Sequence, residues 1–245
     1  MNRLEYEKDY DAAQAQANIV LALAPERPDT EKENAVKALR VLLTCYNRQN
    51  NYQDIISLFE SHQEIGRTDN NCKDLYDKAK RIQIHEKKND MIAKIKEYLD
   101  KIEREIRTIV MSSLENNEQC LFSLLRTKNK EHWQTEWKRK EQIREQRLLP
   151  SLNIISYSTF GQLKDIFMWC KPNIISYKNQ NSTQINRKHK QIIDILNIGD
   201  LLEERNESSH SLLYDRSLED LEDIRALMRS LTRHVSTLKQ LMGLN

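Results

Sequence analysis

The chain has 245 residues, enough for one large domain or two small ones, and 38% of them are hydrophobic, so a folded core is expected. Only four glycines and four prolines occur beside 31% charged residues; this composition excludes a protein of many strands and turns and predicts an all-α fold. The formal net charge of +2 is too small to require a nucleic-acid partner and leaves the class of partner open.

The cysteines and the first residues of the chain bear on its compartment. The four cysteines are far apart and form no CxxC pair, and the histidines are equally scattered, so we expect reduced thiols with no disulfide framework, no metal site and no cofactor. The first ten residues lack the apolar core of a signal peptide, and no stretch approaches 18 consecutive apolar residues. These features predict a cytoplasmic protein that does not associate with membranes.

Short antiparallel helices are predicted for the first part of the chain. Strong helix formers over residues 3–24 precede Pro25 and Pro28, and further helices are expected over 31–48 and 52–63. The spacing of large and small residues here resembles a tetratricopeptide repeat, which interlocks two helices, in Leu42, Tyr46, Asn50, Tyr52, Ile55 and Phe59. Generic helical hairpins with aromatic packing remain the alternative for this region, residues 1–90.

A second helical domain is expected over residues 91–245. From Ile92 to Leu114 apolar residues recur every three or four positions, which predicts a long amphipathic helix, and the lysine-rich residues 79–89 before it form a solvated connector or continue that helix. Helix is also expected over 118–149 and over 157–170, the latter ended by Pro172. The last helix begins at Ser217, with Asp220 three residues later to complete its cap.

Basic residues crowd residues 126–147, where two tryptophans lie one turn apart. Such a helix can bind RNA through phosphate contacts and stacking, and its candidate RNA-binding residues are Lys138, Arg139, Lys140 and Arg144. A solvated face anchored to the core by Trp133 and Trp137 is the commoner arrangement and stays open as the alternative.

The chemistry-bearing motif is the run Glu-Arg-Asn-Glu-Ser-Ser-His, in which Arg205, Asn206 and His210 form the pattern RNxxxH. An arginine followed closely by a histidine is not specific, because the chain contains two further matches. Three features distinguish Arg205 from the other two matches: the small polar Asn206 directly follows it, the motif lies just before the final helix, and its flanking segments carry a family resemblance. The two other matches are Arg126 with His132 and Arg229 with His234.

The motif and its flanks resemble the HEPN superfamily, in its prokaryotic ribonuclease and toxin branch. The flanks are Glu103 to Leu114, Tyr157 to Phe167 and Gly199 to Ser211, so the resemblance spans residues 92–242. It implies an up-down helical bundle, a homodimer, and a metal-independent endoribonuclease that cleaves RNA by attack of the 2′-hydroxyl. It also implies a toxin or antiphage-defence role, with an antitoxin or regulator bound through the N-terminal helices.

The surroundings of the motif are acidic, because Glu203, Glu204 and Glu207 flank it. Carboxylates repel RNA phosphate unless basic residues elsewhere offset them. Two other functions therefore stay open: a non-catalytic helical interaction or regulatory protein with a HEPN-like dimerisation domain, and a helical nucleic-acid-binding protein without activity.

Overall fold

The structure is a computed structural model that describes residues 3–23, 32–150, 152–177, 181–197 and 213–244. These residues form helices and turns with no strand, so the predicted all-α class is confirmed. The helices are α1 (Arg3–Leu23), α2 (Lys32–Arg48), α3 (Tyr52–Ser61), α4 (Gln63–Gly66), α5 (Asn70–Ser113), α6 (Glu118–Thr127), α7 (Glu131–Gln146), α8 (Phe160–Trp169), α9 (Lys171–Ser176), α10 (Ser182–Leu196) and α11 (Leu218–Leu241). A 3₁₀ turn, Ile154–Tyr157, precedes α8.

The chain divides into two compact units, Met1–Asn89 and Asp90–Asn245. Helix α5 is continuous from Asn70 to Ser113 and contributes residues to both units. Of the two expectations for residues 79–89, the continuous helix is therefore the one observed.

The first unit is built on helix α2, which packs against α1, α3 and α4. Its core consists of small, aliphatic and aromatic side chains from these helices and the start of α5, including Ala17, Leu21, Leu39, Leu42, Leu43, Ile55, Phe59 and Cys72. The Phe59 ring stacks on Tyr76 with the ring centroids 4.3 Å apart. Helical hairpins are thus present, and their kinship with a tetratricopeptide repeat stays a prediction.

The beginning of α5 is fixed by Asp69. Its carboxylate forms an ion pair with Arg40, and its Oδ1 accepts a hydrogen bond of 2.9 Å from the backbone N–H of Cys72. Only 8% of Asp69 is exposed, so an acidic side chain caps the helix from within the first unit.

The second unit has a large apolar core to which every one of its longer helices contributes. The apolar stripe predicted for α5 is buried at Ile92, Ile95, Ile102, Ile106, Ile109 and Val110. Helix α10 packs against α8, α9 and α11, and α7 packs against α6 and the 3₁₀ turn. This core holds α10 and α11, the helices on either side of the RNxxxH motif.

Several helix boundaries differ from the sequence-based expectation. Residues 118–149 form two helices instead of one, because Asn129 adopts a left-handed backbone (φ 54°) and the N–H of Lys130 bonds to the carbonyl of Leu125 at 2.8 Å, which closes α6. Helix α8 ends at Trp169 ahead of Pro172, which lies in the first turn of α9. A proline is favourable there since the first turn needs no N–H donor.

All four cysteines are free thiols, and Cys45, Cys72 and Cys170 are buried. Burial raises the pKa of the Cys72 and Cys170 thiols to about 12. In the described part of the chain, none of the helices combines the length and the apolar character that crossing a membrane requires.

Candidate functional site on helices α10 and α11

The motif residues Arg205, Asn206 and His210 lie outside the described residues. The structure describes the helices on both sides of them, α10 up to Leu196 with Asn197 at its end, and α11 from Leu218. These two helices flank the motif in the sequence and form the described part of the candidate site.

Helix α10 has a buried stripe of apolar residues that includes one histidine. Ile185, Ile192 and Leu196 are buried, and His189 between them is only 2% exposed. The imidazole stacks on Phe167 with the ring centroids 4.5 Å apart, and its Nε2 lies 3.0 Å from the Phe167 carbonyl oxygen. Burial lowers the pKa of His189, so a neutral ring donates its Nε2–H to that carbonyl. This histidine has a structural role.

Helix α11 starts at a complete capping box. The Ser217 hydroxyl accepts from the Asp220 N–H at 3.0 Å, and the Asp220 carboxylate accepts from the Ser217 N–H at 3.1 Å. The cap predicted from the sequence is therefore confirmed. At its other end, Ser236 donates to Glu105 of α5 at 2.8 Å.

One polar contact joins α10 to α11. The Nζ of Lys188 lies 3.2 Å from Nδ1 of His234, and both side chains are half-buried. Partial burial lowers the pKa of His234, and the positive charges of Lys188 and Arg233 lower it further. His234 belongs to one of the two other arginine–histidine matches, and its partner on α10 is a residue that sequence spacing gave no means of finding.

The tryptophans of α7 are core residues. Trp137 is fully buried and donates its Nε1–H to Oε1 of Gln162 at 3.1 Å, and Trp133 stacks on Trp169 with centroids 5.7 Å apart. Neither indole is available to stack on a nucleobase in this arrangement. Of the two alternatives for this helix, the structure favours a charged face anchored by tryptophans.

Three of the four candidate RNA-binding cations on α7 are held by neighbours. The Lys138 ammonium lies 5.3 Å from the Phe122 ring centroid, and Lys140 pairs with Glu136 at 2.7 Å. Arg144 donates from Nε to the Pro150 carbonyl at 2.6 Å. Arg139 is exposed. The structure thus brings these four residues onto one helix but commits most of them to local contacts.

Within the described ranges, no three histidine, cysteine, aspartate or glutamate residues come together in a way that could hold a metal ion. No family model matches the chain, and no curated protein or solved structure was found to be similar to it.

Proposed function

We propose that the protein is a metal-independent endoribonuclease of the HEPN kind, active as a homodimer. The observation that carries the proposal is the RNxxxH pattern formed by Arg205, Asn206 and His210 in the sequence. The fold of the second unit supports the proposal, because its described residues are all-α and the helices that flank the motif in the sequence, α10 and α11, pack on each other.

The residue types of the motif suit RNA cleavage without a metal. A base removes the proton from the 2′-hydroxyl, the 2′-oxygen bonds to phosphorus, and the bond to the 5′-oxygen breaks as an acid protonates that oxygen. The imidazole of His210 can act as base or acid near neutral pH. The guanidinium of Arg205 matches the phosphate oxygens, and Asn206 orients the histidine or bonds the phosphate. The products end in a 2′,3′-cyclic phosphate and a 5′-hydroxyl.

A dimer follows from counting the proton-transfer groups. The motif has one histidine per chain, whereas the reaction needs a base and an acid in the same cleft. Two facing motifs, each with Arg205 and His210, supply both imidazoles and two guanidinium groups. We therefore propose that the dimer is required for activity.

In the cell, such an enzyme acts as a toxin or an antiphage-defence effector and must be restrained. The first unit carries a cavity of about 730 Å³ whose lining combines apolar and polar side chains, among them Leu21, Val36, Glu60, His62 and Ile65. We assign to this unit the binding of an antitoxin or another regulatory protein.

The decisive experiment is incubation of the purified protein with total RNA in excess EDTA. Wild-type protein should fragment the RNA, whereas Arg205→Ala and His210→Ala should not. His132→Ala is the matched control, because His132 belongs to another arginine–histidine match and is exposed on α7. Identical RNA patterns for the wild type and the two motif variants would exclude catalysis by this motif.

A second candidate function is a non-catalytic interaction protein, and the cavity of the first unit is the observation that favours it. In that case, purified wild-type protein leaves RNA intact, and expression in a bacterial host is equally harmless for wild type and His210→Ala. Toxicity that disappears in both motif variants argues for the nuclease.

A further inference from the structure

The contact between Lys188 and His234 is an unusual one, because both groups are basic. A lysine ammonium has hydrogens and no lone pair, so at 3.2 Å it must donate to Nδ1 of His234. The imidazole is then neutral and carries its own proton on Nε2. Lysine and histidine together present only N–H donors to a third group.

The neighbours of this pair add further donors and charge. Arg187 precedes Lys188 on α10 and Arg233 precedes His234 on α11, and both are exposed. No described carboxylate forms an ion pair with either arginine or with Lys188. Along α10 the nearest carboxylate is that of Asp194, about two turns from Lys188.

We propose that Lys188 and His234, together with the exposed Arg187 and Arg233 beside them, bind a phosphate of the RNA backbone. The proposal rests on the proposed ribonuclease function and names the phosphate contacts that its substrate needs. Glu203, Glu204 and Glu207 make the motif acidic, and most of the candidate cations on α7 are held by neighbours. The helices flanking the motif carry cations that no described carboxylate neutralises.

A purely structural role makes a different prediction. If the Lys188–His234 hydrogen bond only joins α10 to α11, Lys188→Ala lowers the free energy of unfolding and leaves RNA affinity unchanged. If the pair binds phosphate, Lys188→Ala weakens RNA binding, and Lys188→Arg restores it because the positive charge and the donors return.

The test measures binding of a labelled single-stranded RNA by fluorescence anisotropy, in EDTA, with every variant made in the His210→Ala protein so that the RNA stays intact. Lys188→Ala and His234→Ala should each weaken binding about three- to tenfold. Lys188→Ala should also reduce the slope of log K against log salt concentration by about 0.7, the value for one phosphate contact on a single strand.

Lys190→Ala is the matched control, because Lys190 is an exposed lysine on α10 two positions from Lys188 and therefore on a different face. Its binding should equal that of the parent protein. The proposal is overturned if Lys190→Ala weakens binding as much as Lys188→Ala does, or if Lys188→Ala and His234→Ala bind RNA like the parent. A variant with an altered far-ultraviolet circular dichroism spectrum is misfolded and is replaced in the test. RNA affinity is then compared between Lys188→Arg and the double variant Lys188→Arg/His234→Ala, and equal affinities overturn the proposal.

Free inorganic phosphate has the same chemistry as a phosphate of the RNA backbone, and a titration distinguishes these two ligands. Inorganic phosphate is titrated while the NMR signal of the His234 ring is followed. A shift with RNA alone assigns the site to the nucleic acid, whereas saturation by millimolar phosphate assigns it to free phosphate and overturns the RNA proposal. RNA binding through Lys188 without any cleavage by wild-type protein refutes the ribonuclease function alone, and cleavage with no effect of Lys188→Ala on binding refutes the phosphate site alone.

Discussion

His189 donates its Nε2–H to the carbonyl oxygen of Phe167 at 3.0 Å while its ring lies on the ring of the same phenylalanine. Burial in the core of the second unit lowers the pKa of this imidazole below the ordinary value of 6.5 and outweighs the hydrogen bond to the carbonyl, which raises it, so the ring is neutral. The unfolded chain therefore takes up this proton more readily than the folded one. The resulting stability is fully present above pH 6.5 and is lost as the pH falls from there towards the folded pKa.

We expect the free energy of unfolding of the second unit to be lower at pH 5.5 than at pH 7.5 by up to about 1.4 kcal/mol, because the contribution of His189 falls by at most that amount over the one pH unit below 6.5. Tryptophan fluorescence during urea unfolding measures this unit alone, since Trp133, Trp137 and Trp169 all belong to it. His189→Leu should flatten the pH dependence, and His132→Ala should not. Equal pH dependence in wild type and His189→Leu would contradict a buried neutral ring.

Trp137 connects α7 to the start of α8. Its Nε1–H bonds to Oε1 of Gln162, the same oxygen that accepts from the Thr159 N–H at 2.9 Å in the capping box of α8. Trp137→Phe removes this donor and part of a fully buried ring, so we expect a loss of about 1–3 kcal/mol in the free energy of unfolding. Urea titration followed by the remaining tryptophans measures it, with Gln142→Ala, an exposed change on the same helix, as control. A loss no larger than that of the control would show that the indole contributes little.

Asp69 caps α5 and pairs with Arg40 in the first unit. Asp69→Ala should lower the local stability of the helix start by about 1–2 kcal/mol and speed hydrogen exchange at the Cys72 amide. Arg40 lowers the pKa of Asp69 below 3.8, so this contribution is present above pH 3.8 and disappears only as the pH falls through the lower folded value. Asp74→Ala, an exposed change one turn further on, is the control, and equal exchange rates in the two variants would count against the cap.

Leu148 ends α7 with a left-handed backbone (φ 54°) while 94% of it is exposed. A branched side chain is strained in that conformation and gains no burial in return. Leu148→Gly should therefore raise the stability of the second unit by about 0.5–1 kcal/mol. Leu149→Gly, the next residue without a positive φ, should not stabilise, and a shift of the urea midpoint to higher concentration in Leu148→Gly alone is the expected result.

Mixing subunits tests the proposed shared cleft. In an equimolar mixture of wild type and His210→Ala, about one quarter of randomly exchanged dimers carry two intact motifs. The cleavage rate should fall with the square of the wild-type fraction, because a mixed dimer has one imidazole for two proton transfers. Fragmentation of a labelled RNA after subunit exchange measures it. A rate that falls in simple proportion would mean that each subunit cuts independently.

Local chemistry explains which parts of the fold were predictable from sequence. Ser217 with Asp220 gave the start of α11 because a capping box is a contact over three residues, and the apolar spacing gave its buried face at Leu221, Ile224 and Met228. The break at Asn129 was missed, although asparagine is the commonest residue after glycine at a left-handed helix end. Its signal was local but masked by the helix-forming residues around it.

The candidate site was predictable only in part, for a related reason. RNxxxH is a pattern within one segment and is visible in the sequence, whereas the Lys188–His234 contact joins residues 46 positions apart and depends on how α10 packs on α11. The burial of Trp133 and Trp137 likewise follows from their packing partners in the second unit, and the spacing of the tryptophans alone left two interpretations open.

The continuity of α5 has a practical consequence for dissecting the protein. The division between the two units falls between Asn89 and Asp90, inside a helix that runs from Asn70 to Ser113. A fragment that begins at residue 90 therefore starts in mid-helix and exposes backbone N–H groups that the preceding turn had satisfied. Such a fragment should fray at its first turns unless a serine or aspartate is added ahead of Asp90 to act as a new cap. Cutting the chain at the unit boundary thus changes the beginning of the second unit as well as removing the first one.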